Sequence, residues 1–263
     1  MIEMKKIPDK RRWAEKIARY LSDGMQTNFY GSAEDFFAEH EKLWEMEFDG
    51  GCYLFCEREK QFDLYFFLKK DVKPIELPLL HKSIVLEQVG AAKNPPNLAE
   101  WEKIGFAKYL QRKRLFLSGK KASAEQRELS FAKAEEAEEI LTQMERVFEP
   151  YTSALPDLET LKRDLGENRV LAYREADKLL GFLRFGREKK ISVLWQIVVL
   201  PEGRQKGIGN SLVRDWIALE REAAAKFQLW VREDNPPAIK LYEALGFLPD
   251  GRIAPVMLKK ENI

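Results

Sequence analysis

Residues 198–209 read VVLPEGRQKGIG, and residues 235–247 read NPPAIKLYEALGF. The first stretch closes the longest β-prone run of the chain, Ile191 to Leu200, and leads into an amphipathic pattern from Asn210 to about Ala224. The second follows another β-prone run, Phe227 to Val231, and carries helical spacing from Pro237 to Leu245. The expected order is therefore strand, glycine loop, helix, strand, helix. That order marks a mixed α/β domain with a ligand at the C-terminal edge of its strands.

Working outward, strands are expected at Arg169–Tyr173, Leu179–Phe185 and Val256–Lys259, and a helix over Lys133–Phe148. The first half reads as a helix over Arg11–Leu21 and a second from a Ser32 N-cap to about Trp44. Strands follow at Cys52–Cys56, Phe62–Leu68, Ile84–Val89 and Arg114–Leu117, with a short helix over Leu98–Ile104 stopped by Gly105.

An internal repeat relates the halves. Residues 94–106, NPPNLAEWEKIGF, align without a gap to residues 235–247 at an offset of 141, with six identities in thirteen columns. Two domains of one fold follow: 1–120 and 129–263, joined by a polar linker at 121–128. The copies differ in chemistry. The first half has Lys73 to Leu80, with two prolines and no glycine, where the second has its glycine loop. Proline removes the N–H groups that a phosphate cradle needs, so only the second half is expected to hold a phosphate.

Composition narrows the partners. The 263 residues carry 44 basic and 43 acidic side chains. Up to residue 125 there are 22 basic and 20 acidic residues, and after it 22 and 23. Neither half has the basic excess of a nucleic-acid binder. No apolar stretch is long enough for a membrane helix, and Met1 to Arg12 does not read as a signal peptide, so a cytoplasmic, membrane-free protein is expected. Cys52 and Cys56 have no second pair to complete a zinc site, and His40 and His81 stand far apart. No metal is expected, and the thiols read as buried and free.

Three nucleotide loops compete for Gly203–Gly209. A Walker loop fails because no Ser or Thr follows the glycine at the required place. A dinucleotide fingerprint lacks its third glycine. The remaining reading is Arg204-x-x-Gly207-x-Gly209 preceded by Val199-Leu200-Pro201. That stretch resembles the acetyl-CoA signature of the GCN5-related N-acetyltransferase (GNAT) family. The Asn235–Phe247 segment is similar to the family's second hallmark. The resemblance covers about residues 129–263, and the repeat extends it to the first half as a degenerate copy. It implies a mixed, mostly antiparallel central sheet flanked by helices, with two such domains in tandem.

The resemblance also implies roles. Acetyl-CoA would be the acyl donor, and a small-molecule or peptide amine would attack its thioester directly. Backbone groups of Ile197, Val198 and Val199 would pair with the pantetheine arm, with the N–H of Val198 polarising the thioester. Backbone N–H groups from Gln205 through Lys206, Gly207, Ile208 and Gly209 to Asn210 would cradle the pyrophosphate. Arg204 and Lys206 would add charge or stand as solvated loop cations. Asn235 would touch the cofactor arm, cap its helix, or both. Tyr242 would protonate the leaving thiolate, or be a packed helix tyrosine. In the first copy Trp101 takes that place.

A general base is missing from the expected strand, where residues 192–196 are Ser, Val, Leu, Trp and Gln. Glu233 and Asp234 are the nearest acidic candidates, and a water chain serves equally well. Tyr151, Trp195 and Trp230 are candidates to line the acceptor cleft. The protein is expected to be a monomer or homodimer. Two other readings remain: a non-catalytic CoA-binding scaffold, which the missing carboxylate favours, and an aminoacyl-tRNA-dependent transferase, which the neutral charge disfavours.

Overall fold

The structure is a computed structural model, and it describes residues 3–121, 129–153 and 155–261. In chain order the first elements are β1 (Lys5–Lys6), α1 (Lys10–Ser22), β2 (Gln26–Thr27), α2 (Ala33–Glu39), β3 (Leu43–Phe48), β4 (Gly51–Glu57), β5 (Gln61–Leu68), β6 (Ser83–Glu87), β7 (Gly90–Ala91), α3 (Ala99–Lys103) and β8 (Ala107–Ser118). There follow α4 (Ala137–Val147), α5 (Leu158–Gly166), β9 (Val170–Glu175), β10 (Lys178–Glu188), β11 (Ile191–Val199), α6 (Ile208–Glu220), β12 (Lys226–Arg232), α7 (Pro236–Ala244) and β13 (Leu248–Lys259). The architecture is mixed α/β with a mostly antiparallel sheet flanked by helices.

Local chemistry accounts for the helices. Asp9 caps α1 by accepting from the Arg12 N–H at 3.1 Å, and Trp13 and Ile17 form its buried stripe. Asp157 caps α5 through the Thr160 N–H at 2.7 Å. Helix α2 is shorter than its sequence suggests. It stops at Glu39, and Leu43–Phe48 is a strand rather than a helical end. The ladder with β4 overrides local helical spacing there, burying Leu43 and Met46.

Two compact units divide the chain: Met1–Gln111 with Ile253–Ile263, and Arg112–Arg252. This differs from the division at 121–128 expected from sequence. Residues 122–128 lie outside the described residues. The difference arises because two long strands each end in the other half's unit. The Arg112–Ser118 part of β8 pairs antiparallel with Lys226–Arg232. The Val256–Lys259 part of β13 pairs antiparallel with Ile84–Glu87.

In the first unit the strand order is β1-β3-β4-β5-β6-β13, with β5 and β6 parallel. Aromatic side chains fill its core around Tyr53, Phe55, Phe62 and Trp101. Residues 69–82, between β5 and β6, contain no helix. In the second unit the order is β8-β12-β11-β10-β9, with β11 and β12 parallel. One face of this sheet packs on α6 and α7 through Leu194, Trp216, Phe227, Leu229 and Phe247. The opposite face packs on α4 and α5 through Phe182, Val198, Ile140 and Leu161.

The exchanged strand is a large part of the second unit's core. Leu115 and Leu117 of β8 are 0% and 4% exposed. Burying two leucines contributes about 3–6 kcal/mol, against a whole-domain stability of about 5–15 kcal/mol. A fragment comprising residues 129–263 is therefore expected to lack a cooperative thermal transition by circular dichroism, and one starting at Ala107 to regain it. A cooperative melt of the shorter fragment would contradict this role of β8.

Candidate functional site

The site begins with a fault in the β10–β11 ladder. Arg184 pairs with Gln196 and Phe185 with Leu194, so Trp195 is an extra residue on β11. A bulge of this kind bends the strand and increases its twist. On the other side the parallel ladder between β11 and β12 ends at Leu194 and Leu229, although β11 continues to Val199 and β12 to Arg232. From Trp195 onward β11 has an edge that β12 does not cover.

Backbone direction on that edge follows from the neighbouring ladder. The Leu200 N–H donates to the Leu180 carbonyl at 2.9 Å. Antiparallel ladders alternate every second residue, so Val198, paired with Phe182, also directs its N–H and C=O at β10. A Cβ added at Gly181 would stand 2.9 Å from the Val198 carbonyl oxygen, in keeping with that direction. Ile197 and Val199 present their N–H and C=O groups to the open edge. The Val198 N–H, expected on the open edge, faces β10 instead, and the N–H groups on the open edge are those of Ile197 and Val199.

Beyond β11 the chain makes a tight turn at Pro201–Gly203 and enters α6 through two left-handed residues, Gln205 (φ 63°) and Gly207 (φ 76°). Gly203 is required for close approach, since a Cβ there would stand 2.9 Å from the Leu180 carbonyl. Gly207 is required for its φ, which glycine alone adopts without cost. Helix α6 has no side-chain cap and no acidic residue in its first turn. Its first N–H groups, those of Ile208, Gly209 and Asn210, have no partners within the helix and carry the positive end of its dipole. Such an arrangement suits an anion. Lys206 is paired with Glu175 at 2.8 Å, Arg204 is exposed, and the Asn210 side chain accepts from Arg214 at 2.7 Å.

Asn235 caps α7, its Oδ1 accepting from the Ala238 N–H at 3.3 Å, which leaves its amide NH₂ for another partner. Tyr242 is 4% exposed, packed edge-on to Phe247 at 5.9 Å. Burial pushes its phenol well above the usual value, so it stays protonated. Asp234 is clamped by Arg232 at 2.6 and 2.8 Å, and those hydrogen bonds hold its carboxyl below the ordinary range. Glu233 is exposed. Cys52 and Cys56 are both buried in β4, and burial pushes each thiol up to about 12. His40 Nδ1 lies 2.8 Å from the Phe36 carbonyl, and His81 packs near Phe62.

One constellation escaped the sequence reading. Arg184 donates to Asp164 at 2.7 Å and to the Gln196 side-chain oxygen at 2.9 Å. Gln196 in turn donates to the Ser153 carbonyl at 3.0 Å. Asp164, Arg184 and Gln196 are all buried. A lone arginine inside the apolar run Leu179–Phe185 was the available signal. The network ties α5, β10, β11 and the 149–153 turn together at the bulge.

The first unit repeats the parting of strands but fills it. Its parallel ladder stops at Asp63 and Val85. Past that point β2 pairs with Phe67 and Leu68 of β5. The Asn28 side-chain amide donates to the Leu64 and Glu87 carbonyls and accepts from the Phe66 N–H, each at 2.9 Å. Trp101 is buried where the second unit has Tyr242.

Comparison with known proteins agrees with this geometry. Residues 134–247 match the profile of the acetyltransferase (GNAT) family. The UPF0157 protein YqkA of Bacillus subtilis (strain 168) is 30% identical over 95 residues, 35% of this chain and 27% of that protein, so the match spans about a quarter of the relative. A GCN5-related N-acetyltransferase from Sphaerobacter thermophilus superposes with a TM-score of 0.65 at 14% identity, covering 100% of this chain and 96% of its own. A tandem GNAT protein from the clavulanic acid biosynthesis pathway gives 0.59 at 12% identity, covering 100% and 99%. At such identities the structural likeness is one of fold. Residues 134–247, with their glycine loop, uncapped helix and parted strands, are a domain of the acetyltransferase (GNAT) family.

Proposed function

We propose that the protein is an acetyl-CoA-dependent N-acetyltransferase that acetylates a primary amine by direct attack. One observation carries the reading: the open edge of β11 beyond Leu194 runs straight into the left-handed glycine turn and the uncapped start of α6. An extended arm with amide groups at one end and a pyrophosphate at the other fits that sequence of features. Ile197 and Val199 pair with the arm, and the N–H groups of Gly207 to Asn210 hold the pyrophosphate.

The Ile197 N–H faces the edge where the thioester carbonyl lies, and polarises it. The amine nitrogen attacks the carbonyl carbon, the C–S bond breaks, and the electron pair leaves on sulfur. Tyr242, kept protonated by burial, donates its hydrogen bond to the departing thiolate. The amine's proton passes to water or to the exposed Glu233, because Asp234 is held by Arg232 and Asp164 by Arg184. Those committed carboxylates also favour the second reading, a CoA-binding scaffold without turnover. The two readings differ only in whether CoA thiol is released when an amine is added.

The domain assignment follows the same logic. The first unit is proposed as a degenerate copy, with its edge occupied by Asn28 and no glycine loop. Titration calorimetry is expected to find one acetyl-CoA per chain, and two would overturn the degenerate reading. Acetyl-CoA at about a hundredfold excess over Kd should stabilise the chain by about 2.7 kcal/mol in thermal unfolding. Gly207→Glu should abolish that shift, since it places a carboxylate at the cradle and a side chain on a backbone held at a left-handed φ of 76°. An equal shift in that variant would remove the phosphate from this loop.

Tyr242→Phe should retain the acetyl-CoA shift while kcat falls by about a hundredfold, the range for losing a positioned proton donor. Because the phenol's pKa is raised, the rate should climb with pH as the amine deprotonates, with no descending limb from Tyr242 below about pH 10. Unchanged kcat in the phenylalanine variant would leave Tyr242 a packing residue.

A further inference from the structure

In the first unit, the sheet face that carries Trp101 has no long helix over it. Ile84, Leu86 and Trp101 share one core, and residues 69–82 contain no helix. In the second unit α6 covers the corresponding face. The first unit has an open cavity of about 720 Å³ on this face, lined by Phe66, Leu68 and Trp101 among others. Its size suits a small molecule. The gap between β5 and β6 beside it is closed by β2 and Asn28. The walls are pinned by contacts among residues that line the cavity. Gln26 donates to the Lys70 carbonyl at 2.6 Å, and the Tyr30 hydroxyl to the Val89 carbonyl at 2.7 Å. A Cβ at Gly90 would stand 2.6 Å from Pro96 Cδ, so β7 lies directly against the Asn-Pro-Pro turn.

One wall residue is unlike an apolar core. Side chains alternate along a strand, so Gln88, just past β6, shares the face of Ile84 and Leu86. The repeat offset of 141, carried back from Asn94, sets Gln88 against Leu229, which is 0% exposed beneath α6 and α7. Gln88 is 8% exposed and lines the cavity. Its backbone N–H donates to the Pro255 carbonyl at 3.1 Å. Its side-chain Nε2 is buried and has no hydrogen-bond partner among the described residues. A buried donor without an acceptor is costly and rare, and a leucine would fill the place without that cost. The amide is in place to donate to a molecule in the cavity.

Charge and shape narrow what fits. Two lysines and two acids line the cavity, so it selects no net charge. Lys70 and Asp71 are adjacent, and Glu100 accepts from Lys103 at 2.7 Å and lies 3.9 Å from Lys73. Phe66, Trp101, Tyr30 and Pro96 offer flat apolar surfaces. We propose that the first unit binds a small uncharged molecule with a carbonyl oxygen on a flat apolar body, an aryl amide, whose oxygen accepts from Gln88 Nε2. The proposal is independent of reading the β11 edge as the seat of an acyl donor.

The test is saturation-transfer NMR on the full chain with benzamide and with benzoate, beside Gln88→Leu. Transfer to the benzamide ring is expected in the parent, and the Kd for benzamide should rise about tenfold in Gln88→Leu, the scale of one lost hydrogen bond. Benzoate should bind about tenfold more weakly than benzamide in the parent. In the ¹⁵N-labelled chain, the side-chain amide signal that Gln88→Leu lacks should move with benzamide. Gln88→Leu should melt no lower than the parent, because it removes an unpartnered buried donor. A lower melting temperature would mean that the amide is bonded within the fold, and would overturn the proposal. So would the absence of benzamide transfer in the parent, equal transfer in the two proteins, or equal binding of benzoate. A Gln88 amide signal that benzamide leaves unmoved would assign the amide to water only, and would overturn it too.

Discussion

The separation of β11 from β12 depends on one buried charge. Arg184 lies inside an otherwise apolar stretch of β10 and is compensated by Asp164 from α5 and by the Gln196 oxygen. Its partner on β11 is the residue immediately after the extra one, Trp195. Holding Gln196 fixed keeps the bulge in place, and the bulge turns the end of β11 away from β12. Such a pair contributes little net stability, since desolvation offsets its attraction, but removing one partner leaves a buried uncompensated ion and costs about 3–5 kcal/mol. The network is thus better understood as fixing a geometry than as adding stability.

The two units show the same parting of strands with different occupants. In the first, Gln26 and Thr27 run along β5, and the Asn28 carboxamide satisfies a donor and a carbonyl of β5 and a carbonyl of β6. A carboxamide is chemically a peptide group, so Asn28 does for β5 what the amides of an extended ligand would do for β11. Buried backbone groups require such partners. The first unit meets the requirement within its own chain. The second leaves the edge of β11 uncovered by β12 and places an uncapped helix at its end.

What could be read from sequence depended on how local the constraint is. The turn at Gly203–Gly209 was legible because its backbone angles and close approaches restrict residue type directly. The Asn-Pro-Pro repeat exposed the duplication for the same reason, each copy ending in a glycine with positive φ at Gly105 and Gly246. The direction of the Val198 N–H, toward β10 rather than the open edge, was not legible, since residue spacing alone does not say which neighbour a strand's N–H groups face. The exchange of β8 and β13 was also invisible, because it joins residues more than a hundred positions apart, such as Arg114 and Trp230. Asn28, on a two-residue strand, gave no pattern at all.

The missing base on β11 has a physical consequence for the proposed reaction. An alkylammonium with a pKa of about 10 is neutral in roughly one molecule in 300 at pH 7.5. With Asp164 and Asp234 both committed to arginines, proton removal in the proposed reaction falls to solvent or to the exposed Glu233. Arg184 and Arg114, which lie over Trp195 and Trp230, are each neutralised by an aspartate and add no net positive field. The arginine that holds the bulge is thus also the group that takes Asp164 out of play as a base.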